Sequence, residues 1–413
     1  MTSTKLQAPR GTSDVLPEDA ERRRQLGGRS AELLGRAGYR PVETPVLEDT
    51  ELFARGVGES TDIVQKEMFT FEDKGGRSLT LRPEGTAGVC RAYVEHGMHK
   101  LPQPVKLWYS GPFFRHEAPQ AGRYRQFAQV GAEALGSNDP SIDAELILLL
   151  ADLLAGAGVR GVRLRLSSLG NAATRRRYGA ELRAYLGARE SELSEQVRAR
   201  IDQNPLRAFD SDDPGTRAAM EDAPRLLDRL EPDDAEHFAA VRELLDGAGL
   251  AYELDPTLVR GLDYYTRTVF EFESVELGAQ RGVGGGGRYD GLVEEVGGPP
   301  TPGVGWAAGI ERILLAAEPA VAAARWPARA YVVLAHADGR GEAFRLVRAL
   351  RAAGAAAEME QTGRSLKGQL RQAARTGATH AVIVGEALEV RDMDSGEQRP
   401  VAGVQEAVRA VIG

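Results

Sequence analysis

The chain has one cysteine, Cys90, among 413 residues. A single thiol excludes an intrachain disulfide and any cysteine-rich zinc site, and it fits a reducing compartment such as the cytoplasm. Histidine is also scarce. The six histidines are scattered without HExxH or a comparable spacing, so no metal site is expected in the protein itself. The nearest pair, His96 and His99 in YVEHGMHK, reads as a surface helix end. Long apolar runs are missing too. The most apolar stretch, Leu146 to Gly156, is too short to span a bilayer and contains Asp152, so no membrane partner is expected. The opening MTSTKLQAPRG lacks the apolar region of a secretory signal. Excess positive charge is lacking as well: the net charge is −8, which on its face argues against a nucleic-acid partner. That average hides an asymmetry, because from Pro327 onward 12 Lys and Arg stand against 10 Asp and Glu. Placement of the cations then matters more than their sum.

What is present is ordinary globular composition, 42% hydrophobic and 27% charged, in a chain too long for one typical domain. Two domains are expected, 1–325 and 326–413. Pro17-Glu18-Asp19 opens an amphipathic helix, with proline at its first position and acids where the helix dipole favours them. The segments EMFTFED, SLTLRP, VKLWYSGPFFRHE and RQFAQVGAEALG alternate with period two and read as one antiparallel sheet. Helices around Ala87–Glu95 and Asp143–Leu154 would cover it. From about 171 to 250 short charged helices predominate, which marks a helical insertion. Strand character returns at LDYYTRTVFEFES, and VGWAAGIERILLAA passes from strand to helix. After a weak linker, AEPAVAAARWP, strands and helices alternate from Arg329, the pattern of a small parallel α/β domain. The fold class is therefore α+β followed by α/β.

The densest chemistry lies in FFRHEAPQAGRYRQFAQVGAE, residues 113–133. Even spacing puts Phe127, Gln129 and Glu133 on one face of a strand, and Phe113, Arg115 and Glu117 on one face of the strand before it. Arg123 falls in the link between them. Burying such a face without partners would cost on the order of 1–3 kcal/mol per polar group. The run therefore implies a ligand with a carboxylate or phosphate for the arginines and an amine or polar ring for Glu133. Other segments are weaker taken singly. TLRPEGT places Glu84, Gly85 and Thr86 just after a strand, although a plain turn explains Pro and Gly equally well. LVRGLDYYTRT joins Arg260 to Tyr264 and Tyr265. GVGGGGRYDGL sets four glycines before Arg288 and Tyr289; no Lys-Ser/Thr follows, so it is no P-loop, and a flexible turn is the bland alternative. In PGVGWAAGIERILL, Arg312 stands in the first turns of a helix.

Together these segments resemble class II aminoacyl-tRNA synthetases, and specifically the histidyl-tRNA synthetase family. VETPVLE, FRHE with Arg115, and the Gly-rich strand leading to ER with Arg312 match the general class. VRGLDYY at 259–265 and GGGGRYDGL at 284–292 are nearly private to the histidine enzymes, and TDIVQKEMFTF, LRPEGT and GRYRQF are close to their usual text. The resemblance runs through GRSLKGQLRQAA and AVIVGE, so it covers essentially the whole chain.

What the resemblance implies is an ATP-dependent ligase that activates L-histidine as its adenylate and transfers it to the 3′ end of tRNA(His). It implies that Glu84, Thr86 and Gln129 hold the α-amino group, with Gly85, Tyr264 and Tyr289 beside them, while Glu133 and Tyr265 read the two imidazole nitrogens. Arg115 would meet the α-phosphate and the histidine carboxylate, and Phe127 would stack on adenine. Arg123 and Arg312 would grip the terminal phosphates, with Glu117 near the nucleotide. Arg260 resembles a second arginine on the α-phosphate, serving where related enzymes use a metal. Mg2+ is expected to accompany ATP, and a homodimer with the Pro45 segment at its interface is implied. The family commonly has histidine where this chain has Ala128; by alternation Ala128 points away from the ligand face. GEALEVRDMDSGEQ suggests a shortened hairpin in the last domain. There Arg364, Lys367, Arg371 and Arg375 would line one helical stripe facing tRNA, although a solvated helix face explains the pattern equally well. The competing identification is a catalytically inactive relative, the regulatory subunit of ATP phosphoribosyltransferase.

Overall fold

A computed structural model describes residues 6–58, 61, 63–120, 122–278, 281–318 and 329–413. The chain divides into two compact units, Met1–Pro319 and Ala320–Gly413. Most of the expected linker, from 319 to 327, lies outside the described residues.

The strands of the first unit are β1 (Arg40–Pro41), β2 (Leu47–Asp49), β3 (Phe69–Glu72), β4 (Ser78–Leu81), β5 (Val105–Phe114) and β6 (Gln126–Leu135). They continue with β7 (Val162–Ser168), β8 (Glu253–Leu254), β9 (Thr266–Ser274), β10 (Gly282–Arg288) and β11 (Gly303–Gly309). Among the described residues, eight of them form a sheet in the order β1-β5-β6-β11-β10-β9-β7-β8. Every pairing from β5 to β7 is antiparallel, and only the short edge strands β1 and β8 run parallel to their neighbours. One expectation is corrected here. EMFTFED and SLTLRP do not join this sheet; as β3 and β4 they pair with β2 in a separate three-stranded sheet. Period-two alternation identifies a strand but carries no information on which strands pair.

Alternation then sorts the large sheet into two faces. Val130, Ala132 and Ala134 of β6, Phe270 and Phe272 of β9, and Val304, Trp306 and Ala308 of β11 are buried in one hydrophobic core. The helices Pro17–Arg36, Pro140–Gly156 and Pro232–Gly247 bring Leu26, Leu34, Leu146, Leu150, Phe238 and Val241 to it. The first of these starts with Pro17 and carries Glu18 and Asp19 in its first turn; the second is capped by Asp139, which accepts from the Ser141 amide. On the opposite face stand Phe127, Gln129, Gly131 and Glu133 of β6, Gly303, Gly305 and Ala307 of β11, and Glu271 of β9. Small residues on β10 and β11 leave this face hollow. The four consecutive glycines lie inside β10 rather than in a turn.

The second unit contains β12 (Arg329–Leu334), β13 (Ala356–Met359), β14 (His380–Val384), β15 (Leu388–Asp392) and β16 (Gln398–Val401), ordered β13-β12-β14-β15-β16. The first three are parallel, as the strand–helix alternation suggests, but β15 and β16 form an antiparallel hairpin built from the GEALEVRDMDSGEQ segment and the residues after it. The sheet is therefore mixed. Helices Arg340–Ala352, Leu366–Arg375 and Val404–Ile412 cover it.

Candidate active site

Two adjoining regions occupy the hollow face of the large sheet. The deeper one centres on Glu133, which is fully buried. Its Oε1 accepts from Thr86 Oγ1 at 2.7 Å and from Tyr109 OH at 3.3 Å, and its Oε2 accepts from Tyr289 OH at 2.7 Å. Burial pushes this carboxyl up to about 8, even though the three hydroxyl donors favour its charged form and Glu84 adds repulsion. Glu84 is buried next to it. Its two oxygens accept from the Thr86 and Ala87 amides at 2.7 and 2.9 Å, capping the helix Thr86–Glu95, and Tyr264 OH stands 3.5 Å away. Desolvation raises Glu84 as well, opposed by those amides and by Arg115. Tyr264 packs against Tyr265 with ring centroids 4.7 Å apart and meets Tyr289 edge-on at 5.9 Å. Four phenols and two carboxyls thus close around one another in one buried polar cluster.

Glycines make that enclosure possible. A Cβ on Gly305 would fall 1.7 Å from Glu133 Oε2. One on either Gly85 or Gly131 would meet the Tyr109 ring at 2.4 Å, so the ring of Tyr109 occupies the room those residues leave.

The second region is a cleft of about 180 Å³ lined by Arg115, Glu117, Arg123, Phe127, Gln129, Arg260 and Arg312, with Glu271 and the β10 glycines as its floor. Arg115 donates through Nε to the Pro83 carbonyl at 2.9 Å, and its guanidinium lies 5.4 Å from the Phe127 ring centroid. Glu117 bridges Arg115 and Arg123 at 3.8 and 3.3 Å. Arg260 pairs with Glu271 at 2.9 Å. Burial opposes the charge on Arg260, but Glu271 and the neighbouring tyrosines outweigh it and hold the group above its ordinary value. Arg312 is pulled down by burial and then by the nearby Arg123. Among the described residues, the buried Oε1 of Gln129 accepts no hydrogen bond. A cleft that gathers four arginines against two carboxylates is arranged for a polyanion.

The structure therefore brings the sequence-derived residues from 84 to 312 together on one sheet face. Arg364, Lys367, Arg371 and Arg375 belong to the second unit, and all four are exposed. Their expected single stripe needs correction. The helix starts at Leu366 behind its Ser365 cap, so Arg364 precedes it; Arg364 pairs with Glu360 at 3.3 Å and hydrogen-bonds Thr362. Ala128 packs against the helix-side core, and its amide donates to Glu311. Two pocket residues escaped the sequence reading. Tyr109 stands opposite Gly131 in the β5–β6 register, an aromatic–glycine pairing that the two strand sequences contain. Glu271 sits between the buried Phe270 and Phe272, so its alternation with them was also legible.

An antiparallel sheet of this order, with an arginine just after β5, a facing strand in β6 and a glycine-rich strand running into the helix of Arg312, defines a class II aminoacyl-tRNA synthetase. Comparison with known proteins makes the assignment particular. The family model described as histidyl-tRNA synthetase matches residues 11–313, and one described as anticodon binding domain matches residues 330–412. The histidine–tRNA ligase of Rubrobacter xylanophilus is 51% identical over 98% of this chain and 99% of its own length; that of Thermosynechococcus vestitus is 47% identical over 95% and 93%. The crystal structure of apo S. aureus histidyl-tRNA synthetase superposes with a TM-score of 0.82 at 34% identity, covering 99% of this chain and 100% of that one. The chain belongs to the histidyl-tRNA synthetase family and is an aminoacyl-tRNA ligase acting on histidine. The regulatory-subunit identification is not better supported: Arg115, Arg123, Arg260 and Arg312 are all present, as is the anticodon-binding domain.

Proposed function

We propose that histidine binds in the phenol-lined space and ATP in the adjoining cleft, so that the histidine carboxylate meets the α-phosphate beside Arg115 and Arg260. The observation that carries this reading is the contiguity of the two regions: Arg115 holds the Pro83 carbonyl, next to Glu84, on one side and lies against Phe127 on the other. Glu84, Thr86 and Gln129 hold the α-amino group, and the unsatisfied Gln129 oxygen is available to it. Glu133 and Tyr265 read the imidazole, whose ring nitrogens need one acceptor and one donor. A buried site of that kind rejects analogues lacking those groups by large factors.

During adenylate formation the carboxylate oxygen attacks the α-phosphorus, and the bond to the leaving pyrophosphate breaks. Negative charge gathers on the α-phosphate oxygens. Arg115 and Arg260 supply fixed cations there, already desolvated, so little reorganisation accompanies the step. Arg123 and Arg312 take the terminal phosphates, and Phe127 presents a flat face to adenine. Among the described residues no cluster forms a metal site on the protein alone. Mg2+ binds such sites through one or two carboxylates plus substrate phosphates, and Glu117 and Glu271 on the cleft suit that donor set. When bound it would neutralise phosphate charge.

The catalytic domain is assigned to 1–325 and the anticodon-binding domain to 326–413, with the exposed cations of helix Leu366–Arg375 toward tRNA(His). A homodimer is supported by the exposed apolar surface of Val46, Leu47 and Phe71 on the three-stranded sheet and at the adjoining Pro45 segment. The cytoplasm is the compartment that suits one buried thiol. The deciding experiment is ATP–pyrophosphate exchange, followed by tRNA aminoacylation with each amino acid in turn. Exchange is expected with histidine alone; exchange driven equally by another amino acid, or by none, overturns the reading.

A further inference from the structure

The segment Leu258–Tyr265 carries three pocket side chains, Arg260, Tyr264 and Tyr265, yet it belongs to no helix or strand. Irregular backbone holds a site only if something else fixes it. Part of the anchorage comes from the catalytic domain, where the Asp263 amide donates to the Val57 carbonyl at 3.2 Å. More comes from the helical insertion. Arg175, on the first turn of helix Ala172–Gly187, directs one nitrogen, Nη1, to the carbonyls of Asp263 at 2.8 Å and of Tyr265 at 2.6 Å. Asn204, also in the insertion, donates through Nδ2 to Asp263 Oδ1 at 3.0 Å. Two insertion residues therefore grip the three-residue span that ends at Tyr265.

We propose that Arg175 is a positioning residue for histidine recognition: through the Asp263 and Tyr265 carbonyls it fixes the segment that places Tyr264, Tyr265 and Arg260. The inference rests on the reading of the phenol-lined space as the histidine site. Arg175 touches neither substrate nor reacting atoms in that reading. Its guanidinium is buried enough for desolvation to pull it below its ordinary value, with Asp263 and Glu295 as the nearby compensating carboxylates. A charged donor kept in such a place, serving two main-chain carbonyls rather than a carboxylate, is spent on backbone geometry. Of the groups assigned to ATP, Arg260 alone lies on this segment, which is why kcat should fall as well; Phe127 is on β6, Arg123 between β5 and β6, and Arg312 on the helix Ile310–Ala316. Loosening the Arg175 clamp should therefore separate the two substrates.

The test is histidine-dependent pyrophosphate exchange by the full chain with Arg175→Met, which keeps bulk and removes the donors, beside Arg175→Lys, which keeps a cation able to reach the carbonyls. The Met variant is expected to raise KM for histidine on the order of tenfold and to lower kcat, while KM for ATP moves by less than about twofold. The Lys variant should recover most of the histidine effect. Asn204→Ala, which removes only the bond to Asp263, should give the same pattern more weakly, and it keeps the test decisive if Arg175→Met does not fold. Methylguanidinium added to Arg175→Ala should restore histidine affinity, because Arg175 lines an open cleft with Arg176, Gly179 and Asn204. Unchanged histidine KM in the Met and Asn204→Ala variants overturns the proposal. So does a parallel rise in both KM values with no recovery by lysine. Wild-type protein that fails to exchange with histidine would instead remove the site assignment itself.

Discussion

The arginines of the cleft and the cations of helix Leu366–Arg375 are the same chemistry in two solvents. Arg260 sits against Glu271 with its charge largely out of water, and Arg115 is tied to a main-chain carbonyl and a carboxylate. Lys367, Arg371 and Arg375 stand in bulk water. A desolvated charge is costly to place and strong toward whatever it meets, whereas a solvated one is cheap and screened. The first kind can discriminate between a ground state and a transition state; the second can gather a polyelectrolyte but can hardly orient it. Expected effects of mutation should follow that ranking.

The largest effect should come from the cleft. Arg260→Ala is expected to lower adenylate formation at least about a hundredfold while leaving histidine binding largely intact, because the lost cation serves charge that develops only in the transition state. Pyrophosphate exchange close to the wild-type rate would erase the contrast between the two arginine sets. Slightly smaller is the steric test of the deeper space. Gly305→Ala inserts a methyl group 1.7 Å from Glu133 Oε2, against a backbone strand that cannot retreat. Histidine-dependent exchange should fall by roughly ten- to a hundredfold, with KM for histidine raised more than KM for ATP. Equal changes in both would show that the methyl disturbs the sheet generally rather than the Glu133 carboxylate.

The sequence made the pocket legible and its support obscure, for a physical reason. Pocket residues sit on strands, where period two fixes a side chain's face without knowledge of the partner strand; Phe127, Gln129 and Glu133 follow from spacing alone. Family text added Arg260 and Tyr265, which no periodicity could place because their segment is irregular. Sheet membership was not legible, so β3 and β4 were expected in the wrong sheet. Neither was the role of the glycine run, since glycine signals a turn and close strand packing equally. In β10 it leaves room for Arg260, whose nitrogens lie 3.1 Å from where a Cβ on Gly285 would stand. The next residue but two shows the same limit. Arg288, flagged beside Tyr289, turns to the other face and is fully buried against Asp143, where it holds the helix Pro140–Gly156. Only the alternation of faces separates a tyrosine of the proposed histidine site from a structural arginine one position away.

Titration sharpens the same contrast at smaller amplitude. Glu133 is raised from 4.5 to about 8 by burial, so between those values the folded chain holds a proton that the unfolded chain has released. The stabilising contribution is thus complete below about pH 4.5 and lost as pH rises through about 8. In function, the protonated carboxyl spends one oxygen as a donor, and the ionised one offers acceptors only. kcat/KM for histidine, which reports the free enzyme, should rise severalfold as pH passes upward through about 8, and Glu133→Gln should flatten that limb. A profile for Glu133→Gln that keeps the limb assigns it to another group. The exposed cations of the second unit should answer instead to salt.

Salt is accordingly the right probe for the smallest effect. Lys367→Ala, Arg371→Ala and Arg375→Ala should each raise KM for tRNA by roughly two- to fivefold, because an exposed cation contributes little singly. Exchange without tRNA should not change. If each meets one phosphate, the triple variant should reduce the slope of log affinity against log salt by about two to three. Arg364→Ala is the informative outlier. Its guanidinium is already engaged with Glu360, a carboxylate that burial pulls upward but that Thr362, the Arg364 amide and Tyr331 hold down at about 2. Removing Arg364 should therefore lower the thermal midpoint more than the other three substitutions do, and change the salt slope less. A salt slope untouched by the triple variant would make the helix face merely solvated. The acidic chain would then need another source of attraction for its tRNA.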